Sequence, residues 1–155
     1  MWISLTRPRH AKHHHKPSKM PTAGYSGTPL LKKLGLKEDQ KVLLLNPPPD
    51  YFNWLEKDIS QQACPKGQLP DWVHLFAVNT RDFEKAMLAL KKIYEKNSSI
   101  TIWVSWYKKS AGIVTDLTED TIRHFALQNG LVDVKVCAVS EQWSGLKLVV
   151  PLKNR

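Results

Sequence analysis

The sequence predicts an α/β fold: a mostly parallel sheet of about five strands that ends in an antiparallel hairpin. Three observations predict it. Apolar runs of strand length occur at 41–46, 72–78 and 100–106, and unbroken apolar runs belong to strands covered on both faces. Stretches with helical periodicity lie between them. Two final segments, 132–138 and 146–150, alternate apolar and polar residues instead, which marks half-exposed strands near a sheet edge.

Each element has its own signal. Thr28-Pro29 opens a short helix, with Thr28 as cap and Pro29 at the first helical position, where its missing N–H would go unpaired anyway. Leu30, Leu31 and Leu34 are its apolar side, and Gly35 ends it. After the first strand, Pro47 to Pro49 forbid continuation. A second helix is expected from Asp50 to Ser60, with Tyr51, Trp54, Leu55 and Ile59 on one side, and a loop over 61–71. Asn79 and Thr80 are cap candidates for the clearest helix, which reaches Lys96. Its Phe83, Ala86, Met87, Leu90, Ile93 and Tyr94 recur at the 3.6-residue period. Thr118 caps a further helix with Glu119 and Asp120 in its first turn, closed by Asn129-Gly130. The short connection Ser140 to Gly145 makes the last two strands a hairpin. Strands alternating with helices give a three-layer, Rossmann-like sheet with right-handed crossovers.

The organisation is a basic, His-rich tail over 1–23, expected to be disordered, and one α/β domain over 24–155. The net charge of +9 is concentrated in the tail. Arg7, Arg9, Lys12, Lys16 and Lys19 stand there without an acid, so the remainder holds 18 basic and 14 acidic residues, a net +4. The basic balance is therefore a weak argument for nucleic-acid binding by the domain itself. Met20 offers an alternative start of translation. The opening apolar stretch is too short for a signal peptide, and no apolar run reaches the ~20 residues that span a bilayer. Cys64 and Cys137 are far apart, which fits a reducing, cytoplasmic setting.

Three stretches resemble the bacterial domain-of-unknown-function 3052 family. They are Gly24 to Leu30 with Lys32 to Gly35, Trp103 to Trp106 through Thr115 to Glu119, and Gly130 to Asp133 through Trp143 to Lys147. In that family a Pro commonly follows the second Trp of the middle stretch, where Tyr107 stands here. The resemblance covers nearly all of 23–151 and implies no known activity. The element order is also similar to the C-terminal half of Rossmann-like methyltransferases, a likeness of fold only. A Rossmann nucleotide site needs a Gly-rich turn after the first strand so that backbone can approach the ligand. Here the turn is Asn46-Pro47-Pro48-Pro49, bulky and without N–H donors at its prolines. No second strand ends in a ribose-binding acid. S-adenosylmethionine or NAD is not expected to bind in the usual way, and neither a cofactor nor a metal is predicted.

In open parallel sheets, ligands bind beyond the carboxyl ends of the strands. The candidates there are Asn46 and Asp50, Asn79 and Arg81, and Trp106 with Lys108, Lys109 and Ser110. Glu141, Trp143 and Ser144 in the expected hairpin turn lie on the same side, with Asp116 a further acid/base candidate. Lys108 to Gly112, ahead of the Thr118 helix start, is the best anion site: two ammonium groups, a small-residue loop and a helix N-terminus favour phosphate or carboxylate. His74 lies mid-strand, where a hydrogen-bonded core histidine is the default. The His10, His13, His14 and His15 cluster could bind a transition metal weakly, which flexible His clusters do incidentally. No nucleophile motif is present. The expectation is a non-catalytic module for a small anion or a protein partner. The alternative is a reduced methyltransferase-like enzyme with a non-standard cofactor site, and a weaker one is nucleic-acid binding through residues 1–19.

Overall fold

The computed structural model describes residues 27–155; the tail and its His cluster lie outside them. Five strands form one sheet in the order β1-β2-β3-β5-β4. They are β1 (Val42–Leu45), β2 (Trp72–Phe76), β3 (Thr101–Tyr107), β4 (Val132–Ala138) and β5 (Trp143–Val149). The first three are parallel, and β5 runs antiparallel to both β3 and β4. The helices are α1 (Leu30–Leu34), α2 (Tyr51–Leu55), α3 (Thr80–Tyr94) and α4 (Glu119–Gln128). This is a three-layer, Rossmann-like α/β fold.

Strand alternation sorts the side chains into two cores. Leu43, Val73, Leu75, Ile102, Val104, Trp106, Leu146 and Leu148 pack with Phe83, Met87 and Leu90 of α3 and Ile122 and Ala126 of α4. Val42, Leu44, Trp72, Phe76, Trp103 and Trp143 pack on the other face with Leu34 of α1 and Tyr51 and Leu55 of α2. Each helix therefore covers the face that its apolar stripe dictates.

The route of the chain between β1 and β2 positions the site. Beyond α2, Ala63 forms an isolated parallel bridge with Val42, and the Cys64 N–H donates to the Val42 carbonyl at 2.8 Å. That contact is on the outer edge of β1, because β2 holds the inner edge. The chain thus steps outward from β1 across the α1–α2 face, passes the amino end of β1 into β2, and then steps the opposite way across the α3 face. Direction and face reverse together, so both crossovers keep one hand. Such a reversal is the topological switch point of an open α/β sheet.

Several elements differ from expectation. The first helix begins after Pro29, and no side chain caps it; Gly35 ends it at φ 68°. The second helix stops at Leu55 rather than Ser60. Glu56 turns left-handed at φ 58°, the Lys57 N–H donates to the Phe52 carbonyl and the Glu56 N–H to Asn53, a Schellman ending. Strand β5 is inserted between β3 and β4, one place in from the edge strand β4, and it is more buried than the half-exposed strand expected. Trp143, Ser144 and Gly145 lie in β5 and not in the hairpin turn, which is closed by Val139 and Ser140 N–H groups donating to the Trp143 carbonyl. The caps of α3 and α4 are as expected: Asn79 accepts from the Asp82 N–H and Thr118 from the Thr121 N–H.

Candidate functional site

An open cleft of about 560 Å³ lies over the carboxyl ends of β1, β2 and β3, at the switch point. Asn46, Pro48, Pro49 and Asp50 supply one wall and Trp54 of α2 extends it. Ala77, Val78 and Asp82, between β2 and the first turn of α3, form the second. Phe76, Tyr107, Gln142 and Trp143 complete it.

Local sequence explains this shape. Pro47 bars Asn46 from the right-handed helical region, and Asn46 takes φ 56°, a conformation that asparagine tolerates better than most residues. The prolines then carry the chain to α2. Tyr107 and Trp143 are register partners across β3 and β5, with ring centroids 4.1 Å apart. Phe76 meets Trp143 edge to face at 5.1 Å. Tyr107 is half-buried while Trp143 is only 6% exposed, so Tyr107 presents the accessible ring of that stack.

Beneath Phe76 lies a buried polar chain. His74 stacks on Phe76 at 4.2 Å. Its Nδ1 is 2.7 Å from the Tyr51 hydroxyl and its Nε2 is 2.7 Å from the Ser105 hydroxyl. Both ring nitrogens are thus partnered, as the sequence led one to expect of a core histidine. Burial holds the imidazole neutral and pushes its pKa down to about 3, and it raises the Tyr51 phenol well above its ordinary value. His74 and Ser105 are fully enclosed, so this trio braces the cleft floor and has no access to a substrate.

Of the twelve sequence candidates, Asn46, Asp50 and Trp143 line the cleft. Trp106 is buried against the α3–α4 core, on the opposite face of the sheet. Asn79 is engaged in the α3 cap, and Arg81 is exposed on that helix. Asp116 Oδ1 accepts from the Thr80 N–H at 2.8 Å, which holds its carboxyl below the usual range. Lys109 and Ser110 are exposed in a short 3₁₀ turn. The Lys108 N–H donates to the Gln142 carbonyl at 2.8 Å. Its ammonium is lowered by burial and by the charge of Lys33, with Glu141 opposing. Glu141 itself is exposed. Ser144 pairs in register with Trp106 and Ala138.

This arrangement removes one support for the anion site. The N-terminus of α4 carries Glu119 and Asp120, both ion-paired with Arg123, which also binds Asp133. The N-terminus of α3 is filled by Asn79 and Asp116. Both helix starts are occupied by groups of this chain. The lining residues outside the sequence candidates include Trp54, Phe76, Asp82, Tyr107 and Gln142. Period-two alternation in β3 was the available signal, since it puts Tyr107, not Trp106, on the α1–α2 face.

No His, Cys, Asp or Glu group among the described residues is placed to hold a metal ion. No described helix is long and apolar enough to cross a membrane.

No family model matches the sequence, and no curated protein matches it. A solved structure described as a protein in the NADB-Rossmann superfamily from Streptococcus agalactiae is similar. It is 11% identical, with a TM-score of 0.47, and the match covers 81% of this chain and 69% of that one. A likeness of that size says nothing about ligand or activity.

Proposed function

We propose that the protein is a non-catalytic, Rossmann-like module that binds a small molecule in the switch-point cleft. One observation carries the reading: the 560 Å³ cleft lies where the crossovers reverse, and it combines aromatic rings with a few convergent polar groups. Among the described residues, no nucleophile with an adjacent base lines it. The anion preference inferred from Lys108 and Lys109 is supported only by that lysine pair, which flanks the cleft without lining it. Membership of the domain-of-unknown-function 3052 family rests on the three resembling stretches, and nucleic-acid binding rests on the tail alone.

The test is native mass spectrometry of the full chain purified from its own host, beside Val78→Trp, which fills the cleft at a half-exposed position. A small molecule that accompanies the natural chain and not the variant is the expected result. Equal recovery from both, or none from either, contradicts the proposal.

A second reading, a reduced methyltransferase-like enzyme, is favoured by the insertion of antiparallel β5 between β3 and β4. The proline-rich turn after β1 argues against the usual cofactor site. Calorimetry with S-adenosylmethionine decides it: absence of heat at millimolar ligand ends that reading.

A further inference from the structure

We infer that the cleft takes an organic cation, an alkylated ammonium or related onium group carried beside a flat ring; this rests on the reading of the cleft as a ligand site. Charge comes first. Among the described residues, two carboxylates, Asp50 and Asp82, line the cleft, and no Lys, Arg or His does. Both are exposed. Asp50 stands at the N-cap position of α2 yet makes no cap bond with it, which leaves its oxygens available to a ligand. Asp82 Oδ2 accepts only a long bond, 3.3 Å, from the Asn79 amide.

The rings point the same way. Tyr107 is the more accessible ring of the Tyr107–Trp143 pair, and Trp54 lines the same cleft. Aromatic faces carry negative electrostatic potential and attract ammonium groups. An anion entering here meets two carboxylates and electron-rich rings, while the Lys108–Lys109 pair flanks the cleft without lining it. A cation finds both features favourable.

The probes are benzyltrimethylammonium, benzamide and benzenesulfonate, titrated separately into the full chain and read by NMR on the indole N–H signals of Trp54 and Trp143. Saturable shifts with the cation are expected, weaker or absent with the other two. Asp50→Asn and Asp82→Asn each weaken cation binding about five-fold, and Tyr107→Leu weakens it about three-fold, while amide spectra confirm that each variant is folded. Added salt weakens binding by the natural chain and does so less in the Asp50→Asn, Asp82→Asn double variant. If benzamide or benzenesulfonate moves these signals and the cation does not, the cation inference falls and the cleft reading stands. The cation inference falls in the same way if benzyltrimethylammonium binds equally well without either carboxylate. If no probe moves the signals at tens of millimolar, both fall.

Discussion

The indole N–H groups of Trp72 and Trp103 donate to one oxygen, the backbone carbonyl of Leu34, at 3.3 and 2.9 Å. Leu34 ends α1, where the last carbonyls have no partner within the helix. Two neighbouring strands thus anchor a five-residue helix that would not persist alone. Trp103→Phe removes the shorter bond and leaves a void in a fully buried position. It is expected to cost about 2 kcal/mol in urea unfolding, with Trp72→Phe costing less because its bond is longer.

His74 gives the fold an acid-sensitive core. Its folded pKa of about 3 lies below the ordinary histidine value of 6.5, so the unfolded chain binds the proton more readily. Stability is therefore full above pH 6.5 and is lost as pH falls from there toward 3. Between pH 7 and pH 5 the loss is about 2 kcal/mol, before carboxylate protonation matters. Urea titrations at the two pH values measure it. His74→Gln, which cannot titrate, should lose less than half as much over that interval.

Gly145 sits in β5 where a Cβ would meet Val139 Cγ2 at 3.0 Å and Trp103 Cε3 at 3.2 Å. The close approach, not turn geometry, requires glycine here. Gly145→Ala is expected to destabilise by about 1–3 kcal/mol through overpacking, measured by urea unfolding, and to broaden the Trp103 indole signal in NMR spectra.

Asp116 acts on the start of α3 rather than on a ligand. Its carboxyl is held low by the Thr80 N–H, so its contribution is present above the ordinary carboxylate pKa and fades as pH falls through its depressed one. Asp116→Asn should lower the melting temperature at neutral pH and leave ligand binding in the cleft unchanged. A loss of binding with unchanged melting would place Asp116 at the site after all.

The parallel strands were legible because Val42 to Leu45, Trp72 to Phe76 and Ile102 to Trp106 are apolar but for His74 and Ser105. The strand ends were legible too, since prolines follow Asn46 and the helix cap Asn79 follows Val78. Asn46 and Asp50 could be found from those ends. The place of β5 between β3 and β4 could not, because strand order is decided by tertiary packing and Lys147 gives β5 the pattern of an edge. Trp143 was singled out as a turn residue and proves to be the stacked partner of Tyr107 within a strand. Tyr107 stands one residue past the expected strand end at Trp106, and the structure places it within β3. The Ala63 bridge that creates the switch point lies in a segment with no strand signal at all.

A two-dimensional NMR screen of the full chain against small fragments of mixed charge tests the claim of a cleft site most directly. The expected result is that binders converge on Trp54, Tyr107 and Trp143 and lose their effect in Val78→Trp. Binders that map instead to the 108–112 loop, or that ignore the Val78→Trp substitution, would contradict it.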